Sequence, residues 1–427
     1  MTTQKIAIAV IGTLDTKLPE YLYLRSQILQ REPSIDVILI DAGRSQVAHE
    51  AITIPQAEVL KASGYQNGDD SLQSLPRGEV IKTMIKGAIS VTKELRDNGK
   101  IQGIIGLGGS GGTSIAAAVM RELPLTFPKL IVSTVASSDT SSYVGETDIT
   151  MMYSVVDIAG LNEVLKAVID NAAAAIVGMA QVYAARTLQG RTGRERKGIG
   201  ITMFGVTTQV VDVARRWLDG QGFEVYVFHA TGAGGRAMER LVREGRLDAV
   251  LDLTTTELAD ELVGGVFSAG EHRLTAAARV GIPQIVSVGA LDMVNFGPKD
   301  TVPAQFQDRN LFEHNPSVTL MRTTPQECEE LGNRLARRLW ENCADPEVIE
   351  VWLPLKGISA IAVKGQAFYD EDADRALFAA IKKELEGSGI KTVEVDTDIN
   401  DPTWSEDIAR RLTNLLDVES RTLKGTT

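Results

Sequence analysis

Short aliphatic runs recur along this chain, each broken off by glycine, serine, threonine or aspartate and followed by a stretch whose apolar residues repeat at helical spacing. The runs lie near 4–11, 35–41, 101–107 and 129–134, and again near 198–204, 222–228, 248–253, 282–288, 348–354 and 390–395. Such alternation is the signature of βαβ units, and right-handed crossovers then place helices on both faces of a parallel sheet. Helices are predicted near 18–30, 78–98, 112–122 and 160–187, then over 207–220, 234–245, within 255–280, and near 324–343 and 372–387. The stretch 186–198, RTLQGRTGRERKG, has no apolar periodicity and reads as a linker. The expected fold is therefore α/β, with two tandem Rossmann-like, doubly wound domains of mainly parallel sheet. The N-terminal domain is set at 1–190, the C-terminal domain at 191–418 and a flexible tail at 419–427, a division that 427 residues accommodate comfortably.

Composition narrows the function. With 44 basic against 56 acidic residues the net charge is −12, which opposes loose association with nucleic acid or anionic membrane, so an anionic ligand has to be caught locally. The two cysteines, Cys328 and Cys343, form neither a disulfide framework nor a metal box, and a cytoplasmic location is expected. No segment reads as a signal peptide or membrane span.

Ligands of open α/β sheets bind beyond the carboxyl ends of the strands. The strongest signal there is GLGGSGGT at 106–113, where a strand gives way to glycines and then to an Ala-rich helix. Unhindered backbone N–H groups and a positive helix terminus make Gly108, Gly109, Ser110, Gly111, Gly112 and Thr113 a phosphate cradle. The literal G-x-G-x-x-G lacks the acidic residue that would close the next strand, which disfavours a dinucleotide, and no lysine follows Gly112, so a P-loop fails. The competing reading is a glycine turn serving only helix–sheet packing. Around this cradle, Thr13, Lys17 and Arg44 are candidate phosphate contacts, and Asp15 and Asp41 candidate Mg²⁺ ligands. Asp15 or Thr16 could equally cap the helix that starts before Pro19. Seven of the ten residues from Ser133 to Ser142 are Ser or Thr, so Ser133 and Ser138 join the candidate ligand set. The loop from 133 to 148, with Tyr143, is expected to be a mobile ligand cover or a dimer-facing segment.

In the second half, HATGAGGR at 229–236 repeats the glycine-before-helix pattern. Glu257 and Asp260 share a helix face, with His229 and His272 at hand, so His229, Glu257 and Asp260 are candidate acid–base groups and a carboxylate–histidine metal site is conceivable. Solvated helix carboxylates explain the same residues more cheaply.

GTLDTK at 12–17, DAG at 41–43, GLGGSGGT at 106–113, the long segment 133–162, HATGAGGRAMERL at 229–241 and TTTELADELVGG at 254–265 together resemble the ATP-binding family typified by the N-terminal region of the tomato mosaic virus resistance protein. The resemblance runs from about residue 4 to about 416. It implies two Rossmann-like domains, ATP bound by the N-terminal one, and a homodimer. The antiviral role belongs to one plant lineage and is not carried across. Three functions stay open: ATP binding with Mg²⁺ and action on a small polar metabolite in an interdomain cleft; a nucleotide-gated interaction module without turnover; and an ATP-independent lyase or isomerase of a sugar-acid-like metabolite.

Overall fold

The computed structural model describes residues 5–65, 75–188 and 196–424, with side chains up to Asp417. It divides into two compact units, one ending at Arg194 and the other starting at Glu195. Most of the expected linker, 189–195, lies outside the described residues.

The first unit runs β1 (Ala7–Gly12), α1 (Leu14–Arg31), β2 (Asp36–Asp41), α2 (Gln56–Ala62), α3 (Arg77–Asp97), β3 (Gly103–Gly108), α4 (Ser110–Arg121), β4 (Lys129–Ser133), α5 (Ser141–Val144), β5 (Thr150–Tyr153) and α6 (Glu163–Leu188). Its strands form one parallel sheet in the order β2-β1-β3-β4-β5. Both faces are covered, which is why the central strands β1, β3 and β4 are buried along their whole length and read as near-continuous apolar runs rather than alternating. Ala9, Ile11, Ile104 and Ile131 pack under α2, α3 and α4, whereas Ile8, Val10, Ile105, Leu107 and Leu130 pack under α1 and α6. Helix α6 is long and apolar enough to cross a membrane by length and composition alone. Its apolarity has a local use, since Leu165, Ile169, Ala172, Ala173 and Ile176 are buried against the sheet.

The second unit runs β6 (Gly198–Met203), α7 (Thr208–Gly220), β7 (Glu224–His229), α8 (Ala233–Arg243), β8 (Ala249–Thr254), α9 (Glu257–Val263), α10 (Ala276–Val280), β9 (Gln284–Gly289), β10 (Met293–Phe296), β11 (Leu311–Asn315), β12 (Val318–Arg322), α11 (Pro325–Trp340), β13 (Ile349–Pro354), α12 (Glu371–Glu384), β14 (Lys391–Val395) and α13 (Pro402–Lys424). Its main sheet is parallel, ordered β14-β13-β9-β8-β6-β7. Two features depart from expectation. An antiparallel sheet, β10-β12-β11, is inserted after β9 and buries Met293, Val294, Leu320 and Met321 in the core that also holds α11 and α12. And the segment expected as a tail from 419 is helical through Lys424, because α13 docks Trp404, Ile408, Leu412 and Leu415 onto the sheet and carries the chain onward; 425–427 lie outside the described residues.

Candidate functional site

In the first sheet the chain goes from β1 outward to β2, then returns past β1 to β3, so β1 and β3 flank the topological switch point, where open α/β sheets bind ligands. Tyr21 holds the strands apart there. The β1–β3 ladder ends at Ile11–Gly106, and beyond it the buried Tyr21 hydroxyl sits between the carbonyls of Ile11 (3.0 Å) and Leu107 (2.5 Å) and accepts the Leu107 N–H (3.0 Å). Gly12 has to be glycine, because a Cβ would lie 1.7 Å from that hydroxyl oxygen.

Beyond this wedge opens a cavity of about 450 Å³, within the range of small-molecule sites. Thr13, Asp15, Lys17 and Arg44 line it together with Gly109, Ser110, Gly111 and Gly112. The glycine segment is not the loop expected from sequence, for α4 already begins at Ser110 with Gly109 as its N-cap. No side chain caps that end and no acid stands in its first turn, so the positive end of the helix is left to whatever enters the cavity.

The glycines divide into two classes. A Cβ on Gly106 would meet the Ala116 Cβ at 2.8 Å, and one on Gly108 would meet the Gly112 Cα at 2.7 Å, so these serve close helix–strand packing. A Cβ on Gly109 or Gly111 would meet nothing nearer than Thr134 Oγ1 at 3.7 Å and Arg77 Nη2 at 3.4 Å respectively. Packing does not require glycine at those two positions.

Other expected residues have internal duties. Thr113 Oγ1 is 2.7 Å from Ser133 Oγ, and both are fully buried where α4 meets β4. Ser138 is exposed on a turn, its hydroxyl donating to the Val135 carbonyl (3.0 Å). The Lys17 amine reaches the cavity wall but donates to the Ile158 carbonyl. Asp15 is no helix cap: its Oδ2 accepts the N–H groups of Arg44 (3.1 Å) and Ser45 (3.2 Å), tying the loop after β2 to the loop after β1. Asp41, beneath it, accepts the N–H groups of Leu14 (3.2 Å) and Gly43 (2.9 Å) on Oδ1; burial above all, with Asp15 adding to it, pushes its carboxyl up to about 6 against those bonds.

The 133–148 loop satisfies much of its own backbone through turns and α5. Ser142 accepts from Arg121 (2.8 Å), Tyr143 and Val144 pack on the α4 core, and Asp148 takes the buried Lys129 amine at 2.6 Å. Part of the backbone that suggested a ligand cover, including the N–H groups of Thr134, Val135, Ser138, Ser141 and Tyr143, is paired within the unit. Sequence reasoning missed Arg77, Val80, Ile81 and Met84 on the first turns of α3, which supply a cation and the cavity's apolar wall together with Ile115. The α3 periodicity was visible, but nothing in it says which helix the sheet will bring over the switch point.

The two acids of the second unit's candidate trio are enclosed and hydrogen-bonded to internal partners. Glu257 is buried, with Oε1 accepting the N–H groups of Gly232 (2.7 Å) and Gly235 (3.0 Å), and Oε2 taking Arg273 Nε at 2.6 Å. Arg273, also fully buried, is held bidentately by Asp252 (2.6 Å to each oxygen) and contacts Glu239 at 3.4 Å. Asp260 is equally enclosed, receiving the N–H groups of Phe267 and Asn295, each at 2.7 Å. Burial pushes both carboxyls up, Asp260 to about 7. Each acid thus ties neighbouring loop segments together. His229 is exposed and stacks on Phe204 (ring centroids 5.5 Å apart), and His272 is exposed beside Glu271. Among the described residues no group of three or more His, Cys, Asp and Glu is placed to hold a metal.

Comparison with known proteins gives a consistent assignment. Sequence models of the Uncharacterised protein family (UPF0261) match over both halves, the N-terminal domain at residues 6–185 and the C-terminal domain at 196–416. A UPF0261 protein of Clostridium tetani is 46% identical over 410 residues, covering 96% of this chain and 99% of that protein. The ToMV resistance protein Tm-1(GCR237) of Solanum lycopersicum is 41% identical over 392 residues, covering 88% of this chain but 51% of that protein. Among solved structures, UDP-N-acetylglucosamine 2-epimerase from Rickettsia bellii aligns over 98% of this chain and 99% of its own at 9% identity, with a TM-score of 0.21, too low to carry an argument.

Proposed function

The chain belongs to the UPF0261 family, and from that premise we propose that its N-terminal unit binds ATP, with the phosphates on the first turn of α4 and the base against the apolar wall of α3. The observation that carries the reading is the pair Gly109 and Gly111: their missing side chains open the cavity at an uncapped, acid-free helix N-terminus. Backbone N–H groups and the helix dipole at such an end favour a phosphate. Arg77, whose Nη2 lies close to Gly111, and Arg44 add cationic reach to the cavity lining, which matters in a protein whose net charge repels anions. Val80, Ile81, Met84 and Ile115 give a base an apolar surface. The adenine nucleotide itself comes from the family resemblance, and with it we propose a cytoplasmic homodimer. Glu257 and Asp260 are each engaged by internal hydrogen bonds, and the reading we propose is of binding, with no reaction assigned.

Calorimetric titration with ATP, ADP and adenosine tests it. Saturable ATP binding, weaker for ADP and much weaker for adenosine, is expected, and Arg77→Ala should reduce ATP affinity by about 10-fold, the loss of one charge-assisted contact. Absence of saturation at millimolar ATP would overturn the reading.

A further inference from the structure

We infer that Asp15 and Asp41 together hold a hard divalent cation of the Mg²⁺ or Mn²⁺ class at the edge of the cavity, an inference that deepens the nucleotide reading but does not need nucleotide to be tested. Each carboxylate has one oxygen committed to backbone N–H groups, Asp15 Oδ2 to Arg44 and Ser45 and Asp41 Oδ1 to Leu14 and Gly43. The other two oxygens, Asp15 Oδ1 and Asp41 Oδ2, are buried with no hydrogen-bond partner. Asp41 is fully enclosed, at 0% exposure.

The two carboxylates are neighbours around Gly43. A Cβ on Gly43 would lie 2.6 Å from the unpartnered Asp15 Oδ1 and 2.9 Å from Asp41 Oδ1, the oxygen that takes the N–H groups, so both carboxylates press on this one glycine. Gly43 is not in the left-handed region, and its lack of a side chain answers to this crowding rather than to backbone conformation. A third buried acceptor without a partner, Gln56 Oε1, belongs to a side chain whose amide donates to the Arg44 carbonyl of the same loop (3.4 Å).

Buried polar atoms are nearly always paired, and an unpaired acceptor costs about 1–3 kcal/mol, more when charged. Two adjacent carboxylates add mutual repulsion. A divalent cation answers both, since it needs oxygens that no N–H has claimed. The donors are all oxygen, which selects Mg²⁺, Mn²⁺ or Ca²⁺ over Zn²⁺ or Cu²⁺. Mg²⁺ in particular is commonly held by one or two carboxylates and completed by phosphate oxygens, and Asp15 lines the cavity in which the phosphates are proposed to lie. Cation and nucleotide then strengthen each other's binding by the same factor.

The test is Mn²⁺ titration followed by electron paramagnetic resonance, without nucleotide, on the full chain and on Asp41→Asn. The asparagine keeps an oxygen for Leu14 and Gly43 and presents its amide beside Asp15, so the variant should fold with an unchanged or higher Tm. Asp15→Asn is the parallel variant should that one misfold. Saturable Mn²⁺ binding is expected, weakened about 10-fold or more in the variant, as when a metal-site partner is lost. Mg²⁺ should tighten ATP binding in the parent and not in Asp41→Asn. Equal Mn²⁺ binding by parent and variant, or none by the parent, would overturn the inference. Titration of ATP in EDTA separates the two claims: if ATP still binds there, the nucleotide reading stands whatever Mn²⁺ does.

Discussion

The glycines of α4 offer a test in which stability and affinity move in opposite directions. Gly111 sits in the first turn of a twelve-residue helix, is not in the left-handed region, and a Cβ there would stand 3.4 Å from the flexible end of Arg77. Alanine at this position should raise stability by roughly 0.5–1 kcal/mol, from the helix propensity gained and the unfolded-state entropy removed. For a unit of this size that is an increase of about 1–4 °C in Tm. The same methyl group intrudes on the space proposed for phosphate and holds Arg77 off, so ATP affinity should fall by the worth of a charge-assisted hydrogen bond, about 1.5–3 kcal/mol, or 10- to 100-fold. Gly108→Ala is the control. Its Cβ would lie 2.7 Å and 2.9 Å from the Gly112 Cα and carbonyl carbon, backbone atoms that cannot swing aside, so overpacking should cost about 1–3 kcal/mol. Differential scanning fluorimetry and calorimetric ATP titration on both variants decide the matter. If Gly111→Ala binds ATP like the parent, the glycines serve packing alone and the phosphate site is elsewhere.

Three further outcomes follow from the geometry. Tyr21→Phe leaves the Leu107 N–H unpaired at the switch point and should destabilise the first unit by about 1–3 kcal/mol in urea unfolding; an unchanged midpoint would show that the hydroxyl is no wedge. Glu257→Ala removes the acceptor of Gly232, Gly235 and Arg273 at once and should cost about 3–5 kcal/mol, whereas a residue kept for acid–base chemistry would leave stability nearly untouched. Asp292 has a buried oxygen without a partner, and burial pushes its carboxyl up to about 6, so its contribution to stability is full below about pH 4 and lost as pH rises through 6. Asp292→Asn should therefore flatten the decline between those pH values by up to about 3 kcal/mol; denaturation midpoints that fall in parallel for parent and variant would refute it.

Strands buried on both faces advertise themselves as uninterrupted aliphatic runs, and every strand of both parallel sheets was legible in the sequence except the edge strand β5. That strand, Thr150–Tyr153, is four residues long with two of them exposed, and carries no comparable pattern. The β10-β12-β11 insertion was missed for a related reason: β11, LFEHN, is mostly polar and exposed, and its pairing depends on the turn at Asn315–Ser317, where the Asn315 side chain accepts the Ser317 N–H (2.8 Å). In the candidate site, the glycines and Asp15 could be read because they follow strands directly. Arg77 and Tyr21 could not, since the role of each depends on contacts with a strand or helix far away in sequence. The enclosure of Glu257 was not legible, because a sequence shows an acid but not the helix terminus that surrounds it.

That enclosure supplies an internal comparison. In the second unit β6 and β8 flank the equivalent switch point, and the glycine-rich start of α8 after β7 already holds an anion, the Glu257 carboxylate, on the N–H groups of Gly232 and Gly235. Gly235 accommodates it, since a Cβ there would lie 2.2 Å from Glu257 Oε2. In the first unit the start of α4 has the same glycine chemistry and no acid in its first turn. One helix end binds the protein's own carboxylate, and the other is proposed to await a ligand's phosphate. Supplying an acid to the second should therefore silence it. Ser110→Asp places a carboxylate in the first turn of α4, where interaction with the helix terminus is worth about 0.3–1 kcal/mol, so Tm should hold or rise. A phosphate approaching the same N–H groups would meet a negative charge within a few ångströms, and ATP affinity should drop by about 10-fold or more at low salt, recovering in part as salt screens the repulsion. Unchanged ATP affinity in Ser110→Asp, with the fold intact, would mean that the phosphates do not lie on this helix.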